Sequence, residues 1–413
     1  MMHGEIIATG TELITGLVVD CNAHYAARRL FEAGLTVARI TTVGDQTPLI
    51  REVLDRALAR SQFIIVTGGL GPTEDDVTLP AAALALNRRL VVHEGLLDRI
   101  KRCLGERQIP WEERYAGLAL IPEGAQLLDP GCMTCGFAVQ HQEVRLFFLP
   151  GVPQEMRSLF NNIVLPSLLD WANPEEFWVR RTLRLFGIAE AQLQGVICRL
   201  PDFQQGVTVG YYPNFPETHL SLTVRGIDRA ELNASLDRLT YTLAQEVGEA
   251  LIGSNAVTLE ELVGRLLKER GLTLAVAESC TGGLIGHRIT NVAGSSDYFL
   301  GGVVSYSNEA KHDLLRVPAE ELAQKGAVSP ETARDMARGV RETFRAAVGL
   351  SVTGIAGPSG GSIAKPVGTV YIGLSTPFGE DVWHYQFHGN RTQIKTLTAE
   401  TALDRLRRTL KKM

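Results

Sequence analysis

The chain opens on short apolar, β-branched runs that alternate with segments of helical periodicity. EIIATG, TVARITTVG and QFIIVTGG read as strands, while residues 22–34 and 48–60 space their apolar side chains three and four apart, as amphipathic helices do. Residues 80–86 and 94–106 continue as helices, and a hairpin-like pair follows at 136–139 and 145–149. Strands alternating with helices predict a parallel, helix-covered sheet, and residues 1–170 are assigned to this first α/β domain. The rhythm changes over 171–253, where strand RRTLRLFG, a helix at 190–200, strands VTVGYYP and HLSLTVRG and a helix at 229–247 predict a small α+β middle domain.

IGSNAVT has the composition of a linker, and Thr258 with Glu261 has capping-box spacing ahead of a helix whose Leu259, Leu262, Val263, Leu266 and Leu267 share one face. A third domain, 254–413, is expected from there. Its first helix stops at Gly271, LTLAVAES follows as a strand, and residues 280–291 are predicted helical with Gly282 and Gly283 in the first turn. FLGGVVSYS, GLSVTGIAG, GTVYIGLS and VWHYQFHG supply four more strands, Ser329 and Pro330 open a helix to about 345, and a last helix covers 391–412.

Composition narrows the class of protein. The 413 residues suit two or three domains, and 45% hydrophobic with 21% charged residues describes a packed chain rather than a disordered one. A net charge of −5 offers no basic field for nucleic acid or an anionic membrane, so small molecules are the expected partners. The start MMHGEIIATG has no basic leader and no apolar run approaches the roughly 20 residues that span a bilayer, so a cytoplasmic location is expected. Of six scattered cysteines only Cys132 and Cys135 form a CxxC, and without a second pair they read as ordinary loop thiols.

The chemistry of the third domain starts in AESCTGG. Ser279 ends a strand, and Thr281, Gly282 and Gly283 open the following turn, so main-chain N–H groups are expected beside a hydroxyl, suited to an oxyanion or a phosphate. AGSSDYFLGGVVSYSNEAK then adds Ser296, Tyr306 and Lys311, and a serine–lysine hydrolase needs a hydroxyl beside a lysine whose pKa burial has lowered.

These segments, with KGAVSPETARDMARG, SVTGIAGPSGG and KPVGTVYIGL, resemble the competence/damage-inducible protein CinA family. The resemblance implies an α/β amidohydrolase domain that converts nicotinamide mononucleotide to nicotinate mononucleotide and ammonia without a cofactor, and it suggests a homodimer. On that reading Ser279 attacks the carboxamide, Lys311 takes its proton and Tyr306 relays or steadies it, with Ser296 as the rival nucleophile. N–H groups at 281–283 would face the oxyanion, Thr353 and Gly354 would line the nucleotide pocket, and Arg391 would meet phosphate.

In the first domain, ATGTELITGLVVDCN and VTGGLGPTEDDVT place glycines and carboxylates at the C-terminal ends of successive strands, the edge at which open α/β sheets bind ligands. Gly69, Gly71 and Thr73 are candidate phosphate contacts, and Glu12, Asp20, Asp75 and Asp76 candidate ligands for a divalent metal. These segments and LPGVPQEM resemble the molybdopterin-binding fold in its CinA-type branch, which implies metal-dependent ADP-ribose pyrophosphatase activity. Where that family carries LPNPVGTAPGF, residues 127–137 read LLDPGCMTCGF, placing Asp129 and the run from Cys132 to Gly136 in the loop. A non-catalytic molybdopterin- or nucleotide-binding module is the alternative reading; a DNA-uptake scaffold would need a basic and aromatic stripe that the sequence lacks.

Overall fold

The first sheet is built from β1 (His3–Thr9), β2 (Thr36–Val43), β3 (Phe63–Thr67), β6 (Gln126–Leu127), β7 (Phe137–His141) and β8 (Val144–Leu149), with β4 (Leu90–Val92) and β5 (Leu120–Pro122) forming a separate antiparallel pair. The computed structural model describes residues 2–73, 75–128, 136–172, 176–255 and 257–413. Asp129, Cys132 and Cys135, with most of the altered loop, lie outside the described residues. Strand order is β2-β1-β3-β8-β7-β6, parallel through β8 and antiparallel beyond it.

Strand alternation feeds two cores. Ile6, Ile65 and Phe147 pack with the helix Cys21–Glu32, while Ile7, Ile64 and Phe148 pack on the other face with the helices Thr47–Leu58 and Thr78–Ala85. Full burial of each such side chain stabilises by about 1.5–3 kcal/mol, so a one-residue slip of a strand would be costly.

The middle sheet comprises β9 (Phe177–Leu185), β10 (Val207–Asn214), β11 (Glu217–Gly226) and β12 (Leu251–Ser254) in the order β10-β11-β9-β12. The expected linker IGSNAVT is thus corrected in its first part: Leu251 and Ser254 pair antiparallel with Leu185 and Leu183 of β9. Ile252, buried among residues of the third domain, is the reason. By contacts the chain forms two compact units, residues 1–180 with 224–233, and residues 181–223 with 234–413.

The third sheet, in the order β14-β13-β15-β16-β17, comprises β13 (Leu274–Glu278), β14 (Phe299–Val304), β15 (Val348–Gly354), β16 (Thr369–Thr376) and β17 (Gly379–Gln386). Its first three strands are parallel and the last two antiparallel. Leu274, Val276, Leu350 and Ile372 face a core shared with the helices Leu259–Glu269 and Arg391–Lys412; Ala275 and Ala277 face the helix Pro330–Phe344. The capping box is present, with Glu261 N donating to Thr258 Oγ1 and Thr258 N to the Glu261 carboxylate.

One helix start differs from expectation. Gly282 and Gly283 have φ of +63° and +95°, which no helix accommodates, so the helix runs only over Leu284–Thr290 and residues 280–283 form a turn ahead of it. The helices Asn308–Leu315 and Ala319–Lys325 were not predicted.

Candidate active site

Parallel pairing sends β13 and β14 to the same edge of the third sheet. Just beyond that edge, Ser279 N donates to Val352 O at 3.0 Å and Ser305 N to Glu278 O at 2.9 Å, which fixes both serines as extensions of the sheet. The chain after Ser305 turns into the helix Asn308–Leu315, capped by Ser307 accepting from Ala310 N. That helix directs Lys311 inward, and at 1% exposure it is among the largest fully buried side chains. Its Nζ lies 3.2 Å from Ser279 Oγ and donates to Ser305 O at 2.7 Å. Among the described residues its hydrogen bonds run to Ser279 and Ser305 and to no carboxylate, and burial holds its pKa below the usual lysine value.

Glu278, directly before the serine, is 2% exposed and accepts from the N–H groups of Gly283 (3.0 Å), Ile285 (3.1 Å) and Gly286 (2.8 Å). A carboxylate therefore occupies the N-terminus of the helix Leu284–Thr290, where an anion was expected to bind. Gly282 N donates back to Ser279 O, so the N–H groups of Cys280 and Thr281 are the ones left without an acceptor among the described residues. Burial pushes the Cys280 thiol up to about 12, which keeps it out of nucleophilic chemistry.

Ser296 is not brought to this edge. It precedes β14, and Leu274 pairs with Phe299 while Glu278 pairs with Val304, so Ser296 lies at the opposite end of the sheet and is exposed. Tyr306 is 62% exposed and accepts from Arg391 at 2.7 Å, rather than contacting Lys311; Arg391 also donates to Gly357 O at 2.7 Å. Thr353 is fully buried with its hydroxyl donated to Ala327 O at 2.6 Å, and a Cβ at Gly354 would collide with Val370, so both shape the strand rather than open onto a ligand.

In the first unit, Glu12, Asp20, Gly69, Gly71, Asp75 and Asp76 line one cleft of about 400 Å³ at the C-terminal ends of β1 and β3. Thr73 lines an adjoining one. Asp20 caps the helix Cys21–Glu32 by accepting from Asn22 N and Ala23 N, and Asp76 accepts from Thr73 N at 2.9 Å and from its hydroxyl. A Cβ at Gly71 would lie 2.5 Å from the Asp76 carboxylate, which would have to shift. Among the described residues no three His, Cys, Asp or Glu side chains converge to hold a metal. Asp20 and Asp76 are spent on a helix cap and a turn.

The chain is 41% identical over 410 residues to a CinA-like protein of Desulfotalea psychrophila, covering 99% of both chains. It belongs to the CinA family. A CinA-like protein of Geobacter sulfurreducens is 45% identical over 408 residues, covering 98% of each. The family descriptions match in order: a probable molybdopterin binding domain at residues 5–170, a damage-inducible protein CinA KH domain at 180–253, and a CinA C-terminal domain at 256–410. The solved competence/damage inducible protein CihA of Agrobacterium tumefaciens is 43% identical, covering 37% of this chain and 95% of that one, with a TM-score of 0.35. Within the KH segment no G-x-x-G occurs, the loop by which such domains clamp a nucleic-acid backbone. Among the described residues of this CinA-family chain no helix is long and apolar enough to cross a membrane.

Three residues of the third-domain site escaped the sequence reading. Glu278 stood inside AESCTGG but carried no role, because only the folded turn aims three N–H groups at it. The Ser305 carbonyl is main chain and leaves no trace in residue type. Lys395, which lines a cleft beside the turn at Gly282 and Gly283, was readable as the i+4 neighbour of Arg391 on one helix face.

Proposed function

We propose that the third domain hydrolyses the carboxamide of nicotinamide mononucleotide to nicotinate mononucleotide and ammonia. The observation that carries this reading is the buried Lys311 amine, 3.2 Å from Ser279 Oγ and without a carboxylate partner. A neutral amine has two N–H bonds and one lone pair. Donation to Ser305 O uses one N–H, and the lone pair accepts the Ser279 proton as Oγ attacks the carboxamide carbon. The oxyanion falls to the free N–H groups of Cys280 and Thr281, in place of the 281–283 set expected from sequence, each worth roughly 3–4 kcal/mol when well aimed. Lys311 returns the proton to the departing nitrogen, ammonia leaves, and water cleaves the acyl ester with Lys311 again as base. No metal or cofactor enters this scheme. Tyr306, held by Arg391, forms the rim of the site rather than a proton relay.

The test is ammonia and nicotinate mononucleotide release by the full chain. Release that disappears in Ser279→Ala supports the scheme; a folded wild-type protein that releases none overturns it. Ser296→Ala is expected to keep wild-type turnover, in line with its place at the far end of β14. We also propose a homodimer and a cytoplasmic location, the former checked by light scattering.

For the first unit we propose nucleotide or diphosphate binding in the cleft lined by Gly69, Gly71 and Asn22. ADP-ribose cleavage would need a divalent ion to offset the carboxylates facing a diphosphate, and among the described residues no three donor side chains converge to hold one. Incubation of the full chain with ADP-ribose and Mg²⁺ or Mn²⁺ is expected to give binding without AMP. Metal-dependent AMP release that is lost in Asp76→Asn would restore the pyrophosphatase reading.

A further inference from the structure

We propose that Lys395 is the phosphate-recognition residue of the third-domain site, gripping the monoester phosphate of the nucleotide together with Thr392 and Thr281. The proposal rests on the amidohydrolase reading above for its substrate, and on four observations for its location.

First, Glu278 already accepts from the N–H groups of Gly283, Ile285 and Gly286, so the N-terminus of the helix Leu284–Thr290 is not available to hold a phosphate. Second, a cleft of about 370 Å³ opens beside that turn, lined by Thr281, Gly282, Gly283, His287, Thr392 and Lys395. Its cation sits against the turn that follows Ser279: a Cβ at Gly282 would be 3.7 Å from Lys395 Nζ. Third, Lys395 is half-buried and makes no ion pair among the described residues, whereas Arg391, one turn earlier, is committed to Gly357 O and Tyr306. Of these two cations, Lys395 is the one left to meet an anion. Fourth, Thr281 is fully buried and its hydroxyl has no partner, an unmet hydrogen bond on the wall of the same cleft. A cation without an ion pair, in a cleft whose lining includes Thr281 and Thr392, forms a receptor for a compact anion on a substrate whose reactive carbon lies at the neighbouring serine. The nucleotide would be oriented with its carboxamide at Ser279 and its phosphate at Lys395.

The experiment compares steady-state deamidation of nicotinamide mononucleotide with that of nicotinamide riboside, which lacks the phosphate, by wild-type full-length protein, Lys395→Met and Lys395→Arg. Loss of one charge-assisted phosphate bond is expected to raise KM for the nucleotide about 10- to 100-fold in Lys395→Met. kcat should stay within about threefold, because the lysine binds ground and transition states alike. The riboside should be handled by wild type and Lys395→Met alike, and Lys395→Arg should recover most of the affinity. Unchanged KM for the nucleotide in Lys395→Met, or equal losses for nucleotide and riboside, would overturn the assignment. If wild type deamidates neither compound, the amidohydrolase reading fails, and phosphorus NMR titration with inorganic phosphate then decides the subsite alone. Binding lost in Lys395→Met upholds it; equal binding by both proteins, or none by either, removes it.

Discussion

Lys311 Nζ stands 3.2 Å from Ser279 Oγ although the two residues sit on different elements, one on a helix and one at a strand end. The pairing predicts that Lys311→Ala lowers kcat by about 10²-fold or more, the usual contribution of a general base. Lys311→Arg should not recover it, since a guanidinium stays protonated near neutral pH. Ammonia release measured at saturating nucleotide checks both, and near-normal turnover in either variant removes Lys311 from the mechanism.

Burial lowers the Lys311 pKa, and the base must be neutral to act. Activity is therefore expected to rise with pH along a single ionisation whose midpoint lies below the 10.5 of an ordinary lysine. A pH profile of kcat/KM is the measurement. A midpoint at or above 10.5, or a rate that falls as pH rises, would contradict the neutral-amine role.

Glu278 holds the turn that presents Ser279. Glu278→Gln removes the charge and replaces one acceptor oxygen by a donor, leaving at least one of three buried N–H groups unmet at a cost of about 1–3 kcal/mol. Lower thermal stability together with a drop in kcat of about 10-fold or more is expected, with KM changing less. Wild-type kcat in a destabilised Glu278→Gln protein would restrict Glu278 to folding.

Arg288, on the helix that follows the serine turn, bridges Glu260 and Glu400 at 2.7 Å each, and Arg184 of β9 grips Glu217 with two bonds of 2.6 Å. Burial pushes Glu400 up to about 7 against the attraction of Arg288, and the nearby Glu217 charge adds to the rise. Its folded value lies above the ordinary 4.5, so the stability linked to its proton is full below about 4.5 and lost as pH rises through about 7. Glu400→Gln keeps the neutral form at every pH. It is expected to match wild type at about pH 5 and to be more stable at about pH 8, by up to about 3 kcal/mol. Urea unfolding at both values checks this, and a variant less stable than wild type at the higher pH would refute it.

What the sequence determined by itself was whatever depends on periodicity and local chemistry. Alternating apolar runs announced the strands, Thr258 and Glu261 announced a capping box that is present, and the helices Glu94–Glu106, Arg229–Val247 and Arg391–Lys412 begin and end where their patterns do. Ser279 and Lys311 could be named as candidates because a hydroxyl after a strand and a lysine in the motif that follows it are visible as residue types. Tertiary structure alone decided which candidates meet. Parallel register carries Ser279, Ser305 and Lys311 to one sheet edge and leaves Ser296 at the other, a choice set by strand pairing between segments some 25 residues apart. The glycines at 282 and 283 looked helical in a linear pattern and adopt positive φ instead, because Glu278 folds back to occupy the helix end they precede. Asp20 and Asp76 were legible in the sequence only as acidic residues, and their roles as helix cap and turn acceptor came from the fold, since a carboxylate's partner is whichever N–H the fold brings within about 3 Å.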